Sequence, residues 1–394
     1  MALKIRTAAA VAFGFLLIAL AAQSPRAVAA SDPSSGAQRA EMVPADELTD
    51  TLAALKPHKR ERPVVAVLGL NEGSETTDYL VPYGVIKRSG AADVFALGIR
   101  PGPIKLMPTL TILPDATTAD FDQRFPEGAD YVIVPAMHVP DDPEVLAWIG
   151  AQSAHGAIVV GVCAGALVLA NAGVLHDKRA TTHWFRVKDL LEADHTIHYT
   201  PDRRYVVDQR AVTTTGVSAS LPVALAIVAA ITGRDRADSL ARELGAGSWS
   251  PEHDSAQFRM GASVVFAYAT NLLAFWRHED VAIPVASGVD EIALAFTSNA
   301  YASTHLGRVQ TLAADTTPMV MHQGLRLIPD GTIGNSDTAF TVPPLTTDAP
   351  AAALDRTLAD IDARYGARTA RVVRLELEYP PENSPNALAI TSLR

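Results

Sequence analysis

The 394-residue chain contains one cysteine, Cys163, in the segment Gly161-Val-Cys-Ala-Gly165. An apolar run over 157–162 precedes this segment and a helical pattern over 166–172 follows, which predicts a tight strand-to-helix turn at the thiol. The glycines allow the sharp turn and close packing of the helix. A helix N-terminus favours thiolate over thiol. The pattern therefore indicates a reactive nucleophile, and the alternative is a small buried core cysteine.

Other chemistries have little support in the sequence. A single cysteine excludes an intrachain disulfide and a CxxC metal site, and no HExxH or GxxxxGK[ST] pattern is present. His195 and His198 would share a strand face, but without carboxylate partners nearby they are interpreted as solvated surface. The net charge of −10 argues against nucleic-acid binding, which needs a basic face. We therefore expect no metal, no cofactor and no nucleic acid.

Short apolar runs alternate with helical patterns over residues 63–250. Strands are predicted at 63–69, 93–97, 110–113, 131–135 and 157–162, and helices at 77–89, 143–153 and 166–172. Continuous apolar runs suit strands that are buried on both faces of a parallel sheet. The alternation predicts an α/β fold with a doubly wound, mostly parallel sheet sandwiched by helices. Sites in such sheets form beyond the carboxyl ends of the strands.

Two stretches resemble the ThiJ/PfpI family of the class I glutamine amidotransferase-like superfamily. They read Gly161-Val-Cys-Ala-Gly-Ala-Leu-Val-Leu-Ala-Asn-Ala-Gly-Val-Leu175 and Arg179-Ala-Thr-Thr-His-Trp184. The resemblance extends over about 63–247 and includes the turn Thr214-Thr-Gly216. The family contains isonitrile hydratases and parkinsonism-associated deglycases. Membership implies a flavodoxin-like fold and a site centred on the cysteine.

The resemblance assigns roles around Cys163. Asp78 corresponds to an acidic residue that the family places near the sulfur, where it could hold or shuttle a proton with a raised pKa. Glu75 is its nearest rival, and an Asp in a first helical turn can also simply complement the helix dipole. His183 corresponds to the family's histidine, as a base or an ordering group, and Trp184 would line the pocket.

Three departures from the family bear on the reaction. Ala164 replaces the histidine of the peptidase-like members and the threonine that isonitrile hydratase-like members tend to carry. The usual Gly-Gly of the oxyanion loop is Pro135-Ala-Met-His138 here. Amides of Ala136 or Met137, with those of Ala164 and Gly165, are the remaining candidates for an oxyanion hole. Peptide hydrolysis is therefore disfavoured, and His138 is either a compensating polar group or a surface residue.

The second half of the chain repeats the first. Gly73 and Asp115 recur as Gly288 and Asp330, an offset of 215 residues, and five further positions match at the same offset. A helix is predicted over 350–365 and a strand over 372–379. Asp78 maps to Ala293 and the cysteine has no counterpart, so residues 283–394 are interpreted as a truncated, degenerate α/β copy. It would pack as a built-in pseudo-subunit, with a homodimer as the alternative.

Two apolar segments raise the question of a membrane. Lys4 and Arg6 precede an uncharged run over 7–22, and Ala27-Val-Ala29 fits a cleavage site. Residues 1–30 are interpreted as a signal peptide, with an uncleaved anchor as the alternative, and 31–62 as a tether. Either way we expect the folded part outside the cytoplasm, periplasmic or secreted. The stretch 260–276, within a connecting segment 251–282, is predicted to be a helix buried between the halves rather than a span.

The sequence thus predicts an exported protein that acts on a small electrophilic molecule. Cys163 would attack its carbon, while Asp78 and His183 would manage protons. By resemblance the reaction is lyase-like, either hydration of an isonitrile-like group or glyoxalase-type conversion of an α-oxoaldehyde. The alternatives are a non-catalytic redox or ligand sensor and a structural envelope protein.

Overall fold

The first apolar run, which begins at Pro63, becomes a strand that is buried on both faces. In the computed structural model, which describes residues 45–334 and 340–380, this strand is β1 (Val64–Gly69). Val65 and Val67 belong to one hydrophobic core, and Ala66 and Leu68 belong to a second core on the other face. Alternate side chains of one strand therefore join two layers of helices to the sheet.

Eighteen strands and twelve α-helices form in the described residues. The strands are β1, β2 (Ser74–Glu75), β3 (Asp93–Gly98), β4 (Ile104–Met107), β5 (Leu110–Leu113), β6 (Ala116–Thr117), β7 (Tyr131–Val134), β8 (Ile158–Gly161), β9 (Arg179–Ala180), β10 (His198–Tyr199), β11 (Tyr205–Asp208), β12 (Ala211–Thr214), β13 (Val281–Pro284), β14 (Val309–Ala313), β15 (Met319–Val320), β16 (Arg326–Leu327), β17 (Gly331–Thr332) and β18 (Phe340–Thr341). The helices are α1 (Ala45–Ala54), α2 (Thr76–Ser89), α3 (Thr118–Arg124), α4 (Pro143–Ala154), α5 (Gly165–Asn171), α6 (Val187–Ala193), α7 (Ser220–Thr232), α8 (Arg234–Leu244), α9 (Ala262–Leu273), α10 (Glu291–Ala302), α11 (Ala353–Tyr365) and α12 (Ala367–Glu376).

The main sheet has seven strands in the order β11-β12-β8-β7-β1-β3-β6. Every pairing in it is parallel except that of β11 with β12. The strand order reverses between β1 and β7. This topological switch point leaves a crevice outside the carboxyl ends of the two strands. The predicted doubly wound α/β fold is confirmed. The predicted strand at 110–113 forms as β5, but it belongs to a separate sheet.

Elements of the second half recur at the offset of the sequence repeat. Strands β13, β14, β17 and β18 form a parallel sheet in the order β17-β14-β13-β18, the same arrangement as β6-β3-β1-β7. Asp115 accepts a hydrogen bond from the amide of Ala96, and Asp330 accepts the equivalent one from Thr311. The two halves therefore share local geometry as well as sequence.

The two halves meet through a sheet and a helix pair. Strand β5 of the first half pairs antiparallel with β16 of the second, and Ile112 lies opposite Leu327, its own counterpart at the 215-residue offset. Helices α2 and α10, also counterparts, pack against each other. The described residues, 45–334 and 340–380, fall in one compact unit. The contact between the halves is thus approximately two-fold symmetric.

Two predictions for the second half are wrong. The expected strand over 372–379 is instead the last part of helix α12 and the turn after it, because the buried residues Ala370, Val373 and Leu377 recur at intervals of three and four. The stretch 260–276 forms α9 and a following turn, and most of its large apolar side chains are exposed instead of buried. No helix in the described part of the chain has the length and apolar character needed to cross a membrane. The predicted signal peptide at 1–30 lies outside the described residues.

Candidate active site

Cys163 occupies the sharp turn between β8 and α5. Its φ of 56° lies in the left-handed region that residues other than glycine rarely adopt. The Cys163 amide donates to Thr214 Oγ1 at 2.9 Å, and Thr182 Oγ1 donates to the Cys163 carbonyl at 3.0 Å. These bonds hold the strained turn from two neighbouring segments. The residue is only 7% exposed.

Gly165 brings α5 against the end of β7. A Cβ atom added there would lie 2.1 Å from the Val134 carbonyl oxygen, which belongs to a buried strand and cannot move aside. A Cβ atom at Gly161 would lie 2.9 Å from the amide nitrogen of Ala166. Both glycines are therefore required by close backbone approach, as the sequence predicts.

Replacing Gly165 with alanine should destabilise the protein by about 3 kcal/mol, because the clash is with backbone and must distort the turn. Gly150 offers a matched control, since it lies inside α4 with nothing within 4 Å of an added Cβ. Gly150→Ala should stabilise by about 0.5–1 kcal/mol. Denaturant unfolding of both variants measures the difference. Equal stabilities would contradict the steric role of Gly165.

Two carboxyl groups lie beside the sulfur. Glu75 precedes α2 and its side chain accepts from the Asp78 amide at 2.5 Å, while Asp78 Oδ2 accepts from the Ala136 amide at 3.1 Å. Burial raises the pKa of Asp78 well above its ordinary value, and the neighbouring charge of Glu75 raises it further. Burial also raises the pKa of Glu75. This pair retains a proton more readily than exposed carboxyls would. Glu75, the alternative candidate for the acid, therefore acts on Asp78 directly.

The thiol environment differs from the sequence prediction. Burial raises the pKa of Cys163 well above its ordinary value, and the charges of Asp78 and Glu75 raise it further. The Ala164 amide lowers the thiol pKa through its hydrogen bond, but this effect is smaller. Helix α5 has only seven residues, so its N-terminus does not outweigh burial among carboxylates. The raised pKa opposes the preference for thiolate that the turn predicts.

His183 and Trp184 contact the second half of the chain. The His183 ring bonds through Nε2 to the Glu376 carbonyl at 3.0 Å, and its Nδ1 accepts from the Phe185 amide at 3.3 Å. Trp184 Nε1 donates to the Leu375 carbonyl at 2.9 Å. Both nitrogens of His183 are therefore occupied by backbone groups. This geometry positions α12 and leaves neither nitrogen available to the thiol.

Most of the amides predicted to form an oxyanion hole already donate hydrogen bonds to other groups. Ala136 donates to Asp78, Gly165 donates to the Val162 carbonyl at 2.7 Å, and the Ala164 amide is bonded to the sulfur. Met137 is buried and bridges to Ser74, next to Glu75. His138 is exposed, as expected for a surface residue. In this state the Ala164 amide is the predicted donor that lies at the sulfur.

Glu378 is a site residue that the sequence did not reveal. Its Oε2 accepts from the Gly216 amide at 2.6 Å and from the Trp184 amide at 3.3 Å, while Oε1 bonds to His253 Nε2 at 3.0 Å. The carboxyl is buried, and its charge contributes to the raised pKa of Cys163. It comes from the second half, 162 residues after Gly216, so no local pattern signals it. In the described residues no group of three or more His, Cys, Asp or Glu side chains is arranged to hold a metal ion.

Comparison with known proteins agrees with the resemblance to the ThiJ/PfpI family. The model of the DJ-1/PfpI family matches residues 64–230. Isonitrile hydratase of Pseudomonas putida is 37% identical over 105 residues, 26% of this chain and 44% of that protein. The glutathione-independent glyoxalase DJR-1.2 of Caenorhabditis elegans is 26% identical over 177 residues, 44% of this chain and 91% of that protein. The crystal structure of Drosophila melanogaster DJ-1beta is 23% identical and has a TM-score of 0.42, over 46% of this chain and 97% of that one.

Proposed function

Because residues 64–230 of this chain match the model of the DJ-1/PfpI family, we propose that Cys163 forms a covalent adduct with a small electrophilic molecule and that water resolves it. One observation carries the proposal: a fully buried carboxyl with a raised pKa, Asp78, lies beside a cysteine on a strained turn. A carboxyl that keeps its proton near neutral pH can act as a general acid. Strained turns of this kind are common at nucleophiles.

The isonitrile reaction uses both groups. The Cys163 sulfur bonds to the terminal isonitrile carbon while Asp78 gives that carbon a proton, and the thiol proton returns to the carboxyl pair. Water then adds to the resulting thioimidate, and the carbon–sulfur bond breaks to release an N-substituted formamide and the thiol. An α-oxoaldehyde would instead give a hemithioacetal, a proton shift to a thioester, and hydrolysis to a 2-hydroxy acid. Both reactions consume one water molecule and need no cofactor.

A non-catalytic sensor is the second candidate, and the closed state of the site favours it. The thiol is nearly buried and its pKa is raised. Glu378 from the second half accepts the hydrogen bond of the nearby Gly216 amide. A sensor would react slowly and stoichiometrically with an oxidant or an electrophile. Catalysis would require α12 to move and would regenerate the thiol after each turnover.

Two measurements on wild type and Cys163→Ser distinguish the candidates. The first is hydrolytic turnover of isonitriles and methylglyoxal, and the second is the pH dependence of Cys163 alkylation. Turnover that disappears in Cys163→Ser, with alkylation of wild type rising only at alkaline pH, supports the enzyme. Stoichiometric modification without turnover supports the sensor. An inert thiol with no turnover contradicts both.

We also propose that the protein is exported. The proposal depends on the basic residues Lys4 and Arg6, the uncharged run over 7–22, and the small residues at 27–29. Cleavage would leave a chain that begins near residue 31, and an uncleaved segment would anchor the protein. The mass of the mature protein from a membrane-free fraction distinguishes these outcomes.

The second half is proposed to act as a built-in partner for the first. Helix α2 packs on α10, where Gly84 lies against Glu291 and Ile292, and Asn299 of the second half donates to Glu75 at the site. Residues 31–250 expressed alone would expose this apolar contact, so we expect an insoluble or self-associating product. Size-exclusion chromatography tests this, and a stable soluble monomer would contradict the proposal.

A further inference from the structure

An apolar surface covers helix α9 and the turn that follows it. Six of the nine large apolar side chains exposed in the described residues lie within 260–276. They are Met260 (46%), Val265 (46%), Phe266 (64%), Leu273 (71%), Phe275 (75%) and Trp276 (74%). We call these six residues the α9 patch. Such a concentration on one short segment is unusual for a surface that only water contacts.

The orientation of α9 explains why the patch is exposed. Ala267 and Asn271 form its buried face, with Asn271 donating to the Thr304 carbonyl at 3.0 Å, and the helix packs against α12. Phe266 and Leu273 lie on the opposite face. The helix is therefore fixed to the protein by its small and polar residues and presents its large apolar residues outwards. This is the reverse of an ordinary surface helix.

Basic residues lie next to the patch in sequence and on the helix that packs against α9. Arg259 and Arg277 flank it in sequence, and Arg368 and Arg371 are exposed on the neighbouring helix α12. None of these four arginines forms a salt bridge to any part of the chain that the structure describes. No acidic residue occurs between Asp254 and Glu279, although the whole chain carries a net charge of −10. This segment is thus locally cationic on an acidic protein; the carboxyl of Glu376 on α12 lies near Tyr268 of α9 but pairs with His305.

We propose that the α9 patch binds the surface of a bilayer that contains anionic lipids. Trp and Phe favour the region between headgroups and acyl chains, and arginines at its edge pair with lipid phosphates. A twelve-residue helix is about 18 Å long, too short to cross a hydrocarbon layer of about 30 Å. It would therefore lie in the plane of the interface. The acidic remainder of the protein would face away from the membrane.

Two other occupants fit the patch less well. A second copy of the chain would bring eight arginines together, and Glu376, the carboxyl near α9, already pairs with His305. The apolar residues 7–22 of the same chain carry neither acidic residues nor phosphates to pair with those arginines. A lipid surface provides both apolar contact and negative charge.

The test follows the fluorescence of Trp276 in the full-length protein. Vesicles of phosphatidylcholine with phosphatidylglycerol should shift its emission to shorter wavelength, and brominated acyl chains should quench it. Trp148 and Trp249 are buried and Trp184 is half-buried, so Trp276→Phe is needed to identify the signal of Trp276 by difference. This local readout is independent of any insertion of residues 1–30. Phosphatidylcholine alone should give a much weaker response.

Phe266→Ser with Leu273→Ser should lower vesicle binding by the patch roughly tenfold or more, because two exposed apolar side chains lose their lipid contact. Ile333→Ser, at a side chain 63% exposed elsewhere, should change nothing. An unquenched Trp276 on bound vesicles would overturn the proposal. So would a Trp276 already shielded from acrylamide without lipid, or a dimer that only the Phe266 and Leu273 substitutions dissociate, since these results identify the other occupants.

Discussion

Replacing Asp78 with asparagine should lower Cys163-dependent turnover by about 10²- to 10⁴-fold, which is the usual contribution of a positioned general acid. Asparagine matches the shape of a protonated aspartic acid and can still accept from the Ala136 amide, but it cannot give up a proton to the substrate. Steady-state kinetics with the best substrate measures the loss. Glu72→Gln, at an exposed acid on the nearby loop, is the control and should retain full activity.

The free energy of unfolding of the same variant should also depend on pH differently from that of wild type. The pKa of Asp78 is raised in the folded protein, whereas in the unfolded chain it is about 3.9. Between these two values the folded state binds a proton that the unfolded state has lost, so the free energy of unfolding of wild type falls as pH rises. The Asp78→Asn side chain carries no such dependence, so the stability of the variant should rise relative to that of wild type across this window. Loss of activity with a parallel loss of stability at all pH values would contradict the acid role.

Glu378→Ala should destabilise the protein by about 3 kcal/mol, because it leaves the Gly216 and Trp184 amides and His253 without their acceptor in a buried place. Glu378→Gln should cost only about 1 kcal/mol, since its amide oxygen can still accept from both backbone amides. Chemical denaturation measures these differences. Glu376→Gln is the matched control two residues away, at a half-exposed carboxyl paired with His305.

Thiol reactivity gives a second, independent measure of Glu378. The negative charge of Glu378 helps to raise the pKa of Cys163, so removing it in Glu378→Gln should increase the rate of alkylation at fixed pH. Glu376→Gln should leave the rate unchanged. Unaltered stability and alkylation in both Glu378 variants would mean that the second half does not influence the site.

Local sequence patterns were sufficient for the four central strands of the main sheet, β8, β7, β1 and β3. Continuous apolar runs at β1, β7 and β8 can only be buried on both faces, and the glycines beside Cys163 fit only a tight turn with close helix packing. The recurrence of residues at a fixed offset likewise indicated that the second half would repeat the first half's elements. These features depend on neighbours in the chain.

Local patterns gave the wrong prediction where packing between distant segments decides the secondary structure or the exposure of a segment. The segment at 372–379 alternates like a strand, yet docking against α9 and α11 selects a helix with a 3.6-residue period. The stretch 260–276 is apolar enough to be buried, but the halves already pack through α2 and α10 and leave it outside. Charge and burial around a thiol also depend on groups that are distant in sequence.

The sequence alone determined that one cysteine lies at a strand-to-helix turn and that Asp78 lies at the start of the helix after the first strand, because these features follow from local chemistry and glycine sterics. Only the tertiary structure decided the state of that cysteine. In the folded protein Glu75 lies beside Asp78, and His183 bonds to the Glu376 carbonyl. Glu378 of the second half bonds to Gly216 next to the site. Burial among these carboxyls raises the thiol pKa, since a low-dielectric environment and like charges both disfavour the thiolate.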